Sequence, residues 1–429
     1  MKRGRKTMKD ELFGKNYAVV FSGGGARGAY EMGVWKALNE MDVEISAVAG
    51  TSIGAINGAL LAQGNFEMAL QAWNELTPEM IFNTDLGGIE KYRDIEKMRD
   101  LLDTYIDEDT VRNSAIHYVL VTFNLSTMKD ETLHIEEIPE GKLVDYIMAS
   151  ADHPVFKRVK IDGNYYIDGG LYNNLPAKPL AERGYKNLIV VDIRDVMAMT
   201  YQKFDTEGLH IVAVKPTHDL NWVLNFNRDA IRENLTIGYF DTYKTFGKYI
   251  SSDYYIKPDG MQNNKFRISD EDFKALENNE LLRKIFQNDK AMINILSFIN
   301  EFRNSKALIS VKSNEFFVAC LEICASVIEV DVLKEYTLDE IYHILLQEFR
   351  DILEKETYLQ DSVRERITEK IAHKDWSFGK EDKKVLFAFL LRSASTIEQF
   401  YEFAIMVAPR IMIAYLFAMI LLNRNDASS

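Results

Sequence analysis

Gly50-Thr51-Ser52-Ile53-Gly54 is the stretch that decides how this chain is read. Gly-x-Ser-x-Gly marks a nucleophile elbow, in which a strand ends, the chain turns sharply and a helix begins, with the serine hydroxyl held at the strained apex. The surrounding residues fit that geometry. Ile45-Ser46-Ala47-Val48-Ala49 reads as a short buried strand, and Ile53, Ile56 and Leu60 then recur at helical spacing. Gly50 and Gly54 flank the serine because a side chain at either place would collide with neighbouring backbone. Gly54, Ala55, Gly58 and Ala59 are small enough to let the helix lie close against a sheet. Ser52 is therefore a candidate nucleophile.

A second loop lies upstream. The β-prone run Tyr17-Ala18-Val19-Val20-Phe21 leads into Ser22-Gly23-Gly24-Gly25-Ala26-Arg27-Gly28, after which Tyr30, Val34, Leu38 and Met41 mark a helix. Free backbone N–H groups between a strand and a helix start form an anion site. Gly23, Gly25 and Gly28 satisfy Gly-x-Gly-x-x-Gly, the dinucleotide fingerprint. That fingerprint expects an acidic residue at the end of the next strand, where this chain has Gly50-Thr51-Ser52. The competing reading is an oxyanion hole serving Ser52. Arg27 either adds positive charge there or faces solvent.

A serine hydroxyl needs a base to take its proton. Seven histidines are available, and none lies in a recognisable motif. The segment Tyr165-Tyr166-Ile167-Asp168-Gly169-Gly170-Leu171 offers an aspartate instead, followed by two glycines that allow close approach. Asp162-Gly163 reads as a hairpin turn, with Asp168 at the exit of the second arm. Burial between apolar walls would raise the basicity of this carboxylate.

The glycine loop Gly23 to Gly28, the elbow Gly50 to Gly54 and Asp168-Gly169-Gly170 together resemble, in order and spacing, the three signatures of the patatin-like phospholipase family. Met148 to Phe156 and Asn174-Leu175-Pro176 are similar to the family's flanking stretches, and the resemblance covers roughly residues 14 to 250. It implies a serine acyl hydrolase acting on lipid esters through an acyl-enzyme. Ser52 is then the nucleophile and Asp168 the base, in a dyad without histidine. Gly23, Gly24, Gly25 and Arg27 line the oxyanion hole, and Gly28, Gly50, Gly54, Gly169 and Gly170 serve as motif glycines. No metal or cofactor is implied. One departure is Asp152-His153, where the family carries small or apolar residues. That pair is either a loop variation or a titratable group beside the acyl site. Two other readings stand beside this one. An α/β-hydrolase with His210 or His218 as base would keep the chain order Ser-Asp-His. A binding module would use the C-terminal helices, with a vestigial site.

Composition narrows the setting. A hydrophobic content of 47% indicates a packed protein, and a formal charge of −14 argues against nucleic acid as a partner. The expected partners are a lipid substrate and a membrane or micelle surface approached peripherally, and oligomeric state is left open. Lys2, Arg3, Arg5, Lys6 and Lys9 form a basic leader over residues 1–13 with no apolar h-region after it, which argues against a signal peptide. Cys320 and Cys324, four apart on one helix face, read as core thiols of a reducing compartment. The expected localisation is cytoplasmic, peripheral to membranes.

Strands alternating with helices over residues 14–250 predict an α/β fold with a mainly parallel sheet in a three-layer α/β/α arrangement. Within it, residues 66 to 113 read as a helical cap, 117–123 and 131–135 as a hairpin, and 219–249 as helix. An all-α region is expected over 265–429, with capping boxes at Ser269 to Asp272 and Thr337 to Glu340. The apolar run Ile411 to Leu422 is 12 residues, short of a membrane span of about 20. It reads as a buried core helix, a lipid-facing helix or a partner-binding helix.

Overall fold

A computed structural model describes residues 16–82, 96–194, 204–272, 313–354, 382–393 and 409–426, together with 365 and 369. The basic leader and part of the predicted cap, residues 83–95, lie outside the described residues. The chain divides into two compact units, Met1–Lys248 and Tyr249–Ser429.

The first unit is built on a sheet of eight strands: β1 Tyr17–Phe21, β2 Ile45–Thr51, β3 His117–Asn124, β4 Lys129–His134, β5 Lys160–Ile161, β6 Asn164–Asp168, β7 Asn187–Val191 and β8 His210–Val214. The order is β5-β6-β3-β2-β1-β7-β8, with β4 also paired to β3. The β3-β2-β1-β7-β8 run is parallel throughout. Parallel strands are buried on both faces, which explains why β1 and β7 read as continuous apolar runs. Ala18, Val20, Ala47 and Ala49 turn one face toward Ala177 and Leu180. Val48 and Tyr118 turn the other toward the elbow helix at Gly58.

The helices of this unit are α1 Ala29–Glu40, α2 Ile53–Gln63, α3 Phe66–Glu75, α4 Pro78–Ile81, α5 Glu96–Tyr105, α6 Glu108–Arg112, α7 Leu143–Ser150, α8 Ala177–Glu182 and α9 Arg228–Thr245. The predicted helix over 219–249 is shorter than its periodicity implied, because Asn227 caps α9 by accepting the Ala230 N–H at 2.8 Å. Residues before that cap form an irregular loop.

Antiparallel pairing at one end of the sheet sets the functional geometry. β4 occupies one edge of β3 along Val119 to Asn124, so β2 and β6 must share the other. β2 pairs with β3 as far as Thr51 opposite Val121, and β6 takes over with Asp168 opposite Thr122. The nucleophile strand stops where the aspartate strand arrives. The β5–β6 turn has positive φ at both Asp162 and Gly163, as an Asp-Gly hairpin turn requires.

The second unit is mainly helical: α10 Asn314–Val327, α11 Leu338–Glu354, α12 Asp382–Ser393 and α13 Pro409–Asp426, with a short parallel pair β9 Tyr255–Ile256 and β10 Glu335–Tyr336. Both capping boxes form. Ser269 and Asp272 exchange bonds, as do Thr337 and Glu340. Cys320 and Cys324 are free and buried on α10. Of the three readings of Ile411 to Leu422, the buried core helix is the one observed. Ile411, Met412, Ala414, Tyr415, Phe417 and Leu421 pack against α10, α11 and α12 in one cluster. A helix apolar all round finds partners all round. Among the described residues no helix is long and apolar enough to cross a membrane.

Candidate active site

The elbow forms because its backbone has no alternative. Ser52 sits at φ 56°, ψ −125°, between β2 and α2. A non-glycine residue held there is strained by about 1–3 kcal/mol, a cost sustained only where surrounding packing over-determines it. Here α2 starts so close to β2 that a Cβ on Gly50 would lie 2.0 Å from the Gly54 carbonyl oxygen. A Cβ on Gly54 would lie 2.5 Å from the Phe21 carbonyl oxygen. Gly54→Ala is therefore expected to cost about 2–4 kcal/mol of stability, since backbone rather than a side-chain tip must yield. Urea unfolding followed by circular dichroism measures this; an unchanged midpoint would contradict the close approach.

The Ser52 hydroxyl donates to Asp168 Oδ2 at 2.7 Å. Asp168 Oδ1 accepts the Gly170 N–H at 2.7 Å. Both side chains are nearly buried, at 9% and 7% exposure. Burial pushes the Asp168 carboxyl up to about 6, against the opposing pull of its bonds from Ser52 and Gly170. Gly169 lies tight on the Val121 backbone, so β6 can turn away immediately after delivering the carboxylate. No histidine is among the described hydrogen-bond partners of Ser52 or Asp168. His210 opens β8 at the exposed surface, and neither it nor His218 lines the cavity described below.

The glycine loop partly departs from its sequence reading. The Gly23 N–H donates to Asn174 Oδ1 at 2.6 Å, so it is already engaged. The Arg27 Nε donates to the Asn221 carbonyl at 2.8 Å, which ties its guanidinium to a neighbouring loop. Among the described residues, the Gly24 and Gly25 N–H groups have no acceptor, and both residues line the cavity beside Ser52. Gly25 holds φ +57°, and a Cβ there would sit 2.1 Å from the Val223 carbonyl oxygen. Gly28 packs against Ile53 on the elbow helix.

Two supports were not legible beforehand. Ser150 Oγ accepts the Ser52 N–H at 2.9 Å and donates to the Val121 carbonyl at 2.6 Å, pinning the elbow to β3. Asn174 bridges the Asp168 turn to the glycine loop. Both lie in stretches that resembled the family, but an isolated serine or asparagine carries no signal of role.

Asp152 and His153 divide between the two readings they allowed. Asp152 is buried, its backbone carbonyl accepts the Asp168 N–H, and its side chain meets Arg158 and the Val159 N–H. Burial first, and the neighbouring Asp168 charge last, push it up to about 7 despite those bonds. His153 lines the cavity itself, and burial together with Arg158 lowers its pKa.

Ser52 and Asp168 open onto a cavity of about 300 Å³. Its walls are Ile56 and Leu60 of α2, Trp73 of α3, Leu101 and Leu102 of α5, and Phe226. The predicted cap thus contributes directly to the lining.

With the geometry in place, relatedness is informative. Residues 19–181 match the family described as patatin-like phospholipase. Patatin-like phospholipase domain-containing protein 7 of Rattus norvegicus is 28% identical over 209 residues, covering 42% of this chain and 14% of that protein. Patatin-like phospholipase domain-containing protein 6 of Homo sapiens is 30% identical over 202 residues, with the same coverage of 42% and 14%. The chain thus spans about one-seventh of the length of these relatives. Among solved structures, VipD from Legionella pneumophila aligns with a TM-score of 0.40 at 11% identity, covering 95% of this chain and 91% of that one. Residues 19–181 of this chain thus carry a patatin-like phospholipase domain.

Proposed function

We propose that the chain is a serine acyl hydrolase that cleaves fatty-acyl esters of lipids. The observation that carries this reading is the 2.7 Å bond from Ser52 to Asp168 at the mouth of an apolar cavity. Asp168 takes the Ser52 proton as the oxygen attacks the ester carbonyl carbon. The resulting oxyanion is met by the N–H groups of Gly24 and Gly25, worth roughly 3–4 kcal/mol per well-placed donor. Collapse breaks the bond to the alcohol, and Asp168 returns the proton to that leaving oxygen. Water then gives a proton to Asp168 and attacks the acyl-enzyme. The fatty acid departs and Ser52 regains its hydrogen. The acyl chain occupies the space between α2, α3 and α5. Exposed Leu171 on the cavity rim, and Trp222 next to the lining residues Val223 and Leu224, support approach of a lipid surface on that side.

Labelling with a fluorophosphonate, read by intact mass, tests this. One adduct per chain is expected, mapped to the Ser52 peptide. Its rate should rise about tenfold per pH unit at acid pH and level off above about 6, where Asp168 is ionised. A folded chain that takes no label, with or without micelles, overturns the enzyme reading in favour of a binding module with a vestigial site.

A further inference from the structure

The far end of β3 carries a second constellation of chemistry-bearing side chains. Val119 pairs with His134 in the β3–β4 hairpin. Beyond His134 the chain enters a 3-10 turn, Ile135–Glu137, which brings Glu136 beside His117. Side chains two apart on a strand share a face, so His117, Val119 and the Val119 partner His134 project to one side of the hairpin. His117 Nε2 lies 2.9 Å from His134 Nδ1, and the two rings stack at 29°. Glu136 Oε2 lies 3.8 Å from His117 Nδ1, the other nitrogen of that ring. One ligand atom from each residue falls within 4.8 Å of those of the other two. His117 opens β3, whereas Thr122 beside Asp168 lies toward its other end, so this cluster is remote from Ser52.

We infer that His117, His134 and Glu136 form a binding site for a divalent transition ion such as Zn²⁺. Zinc–imidazole bonds of about 2.0–2.1 Å at angles of 90–110° separate two nitrogens by about 2.9–3.4 Å. The two rings already stand at that separation, so coordination replaces the proton they share and needs little rearrangement. Two imidazoles and one carboxylate favour zinc and its neighbours over calcium or magnesium. Solvent supplies the remaining position. Arg183 donates to Glu136 Oε1 at 2.7 Å, leaving Oε2 toward His117. It also approaches His134 Nδ1 at 3.4 Å and must withdraw from that nitrogen when the ion enters. Its 42% side-chain exposure leaves it room to do so. Metal-site motifs read along the sequence miss this cluster because its histidines are 17 residues apart and meet only through the hairpin register.

Titrating the metal-free full chain with Co²⁺, then displacing it with Zn²⁺, tests the site. The expected result is one visible-absorbing Co²⁺ per chain, lost on adding Zn²⁺. Affinity should fall at least tenfold in His117→Ala and in His134→Ala. Glu136→Gln, a change at an exposed position, keeps the fold and is expected to abolish the rise in melting temperature that Zn²⁺ gives the wild type. Ser52→Ala should bind as the wild type does, which separates this site from the proposed hydrolase. No Co²⁺ band in the wild type, or equal affinity in the His117→Ala/His134→Ala double variant, overturns the inference.

Discussion

An Asp168→Asn variant is expected to hydrolyse lipid esters about 10⁴-fold more slowly than the wild type while unfolding at higher urea concentration near pH 8. The loss follows from chemistry. Asparagine fills the same space and can still accept the Gly170 N–H, but it cannot take a proton from Ser52. The gain follows from linkage. The folded pKa of Asp168 is raised to about 6 by burial, from an ordinary value of 3.8. The protonated form is therefore the one the fold prefers. Its contribution is fully present below the unfolded pKa and is lost as pH rises through about 6. At pH 8 the ionised carboxylate costs on the order of 3 kcal/mol, a burden asparagine does not carry. The stability gap should close as the pH falls toward 4. Retained turnover in the folded variant would remove Asp168 as the base. A variant inactive yet no more stable at pH 8 would mean that the carboxylate is better solvated than its burial implies.

Ser52 gives the second large effect. Ser52→Ala and Ser52→Gly are both expected to lose at least about 10⁴ in kcat/KM and all fluorophosphonate labelling. They should differ in stability. Alanine keeps a Cβ at φ 56°, ψ −125°, whereas glycine adopts such a backbone freely. Part of that relief is offset by the greater freedom of glycine in the unfolded chain. Ser52→Gly is therefore expected to exceed Ser52→Ala by about 1 kcal/mol in urea unfolding. Equal stability would show that the elbow is relaxed, and that contacts rather than backbone strain hold the serine.

How far the chain announces this arrangement depends on the range of the interactions involved. The elbow, the glycine loop and the Asp162-Gly163 turn are local, each set by which residues tolerate a tight backbone, and each was legible. Strands β1, β2 and β7 were legible because both their faces are buried. What the sequence did not carry was pairing. Nothing in Asn164 to Asp168 says that it will take over the β3 edge where β2 stops, yet that handover joins Asp168 to Ser52. The same holds for Gly23. Its glycine is required, but the acceptor of its N–H comes from Asn174, 151 residues away. The Ile411 to Leu422 run was ambiguous for a similar reason. Its apolarity is visible in the sequence, whereas the α10, α11 and α12 surfaces that cover it are not.

The buried acids have a consequence for the charge of the molecule. The formal value of −14 counts every carboxylate as ionised. Glu31, wholly buried with Asn57 as its partner, is held well above the ordinary range by burial, and Glu322 is raised by burial in the second unit. Asp152 stands at about 7. At pH 7 Asp152 in the folded chain thus keeps a share of a proton that the unfolded chain would release. The buried native carboxylates therefore carry less negative charge than their count implies.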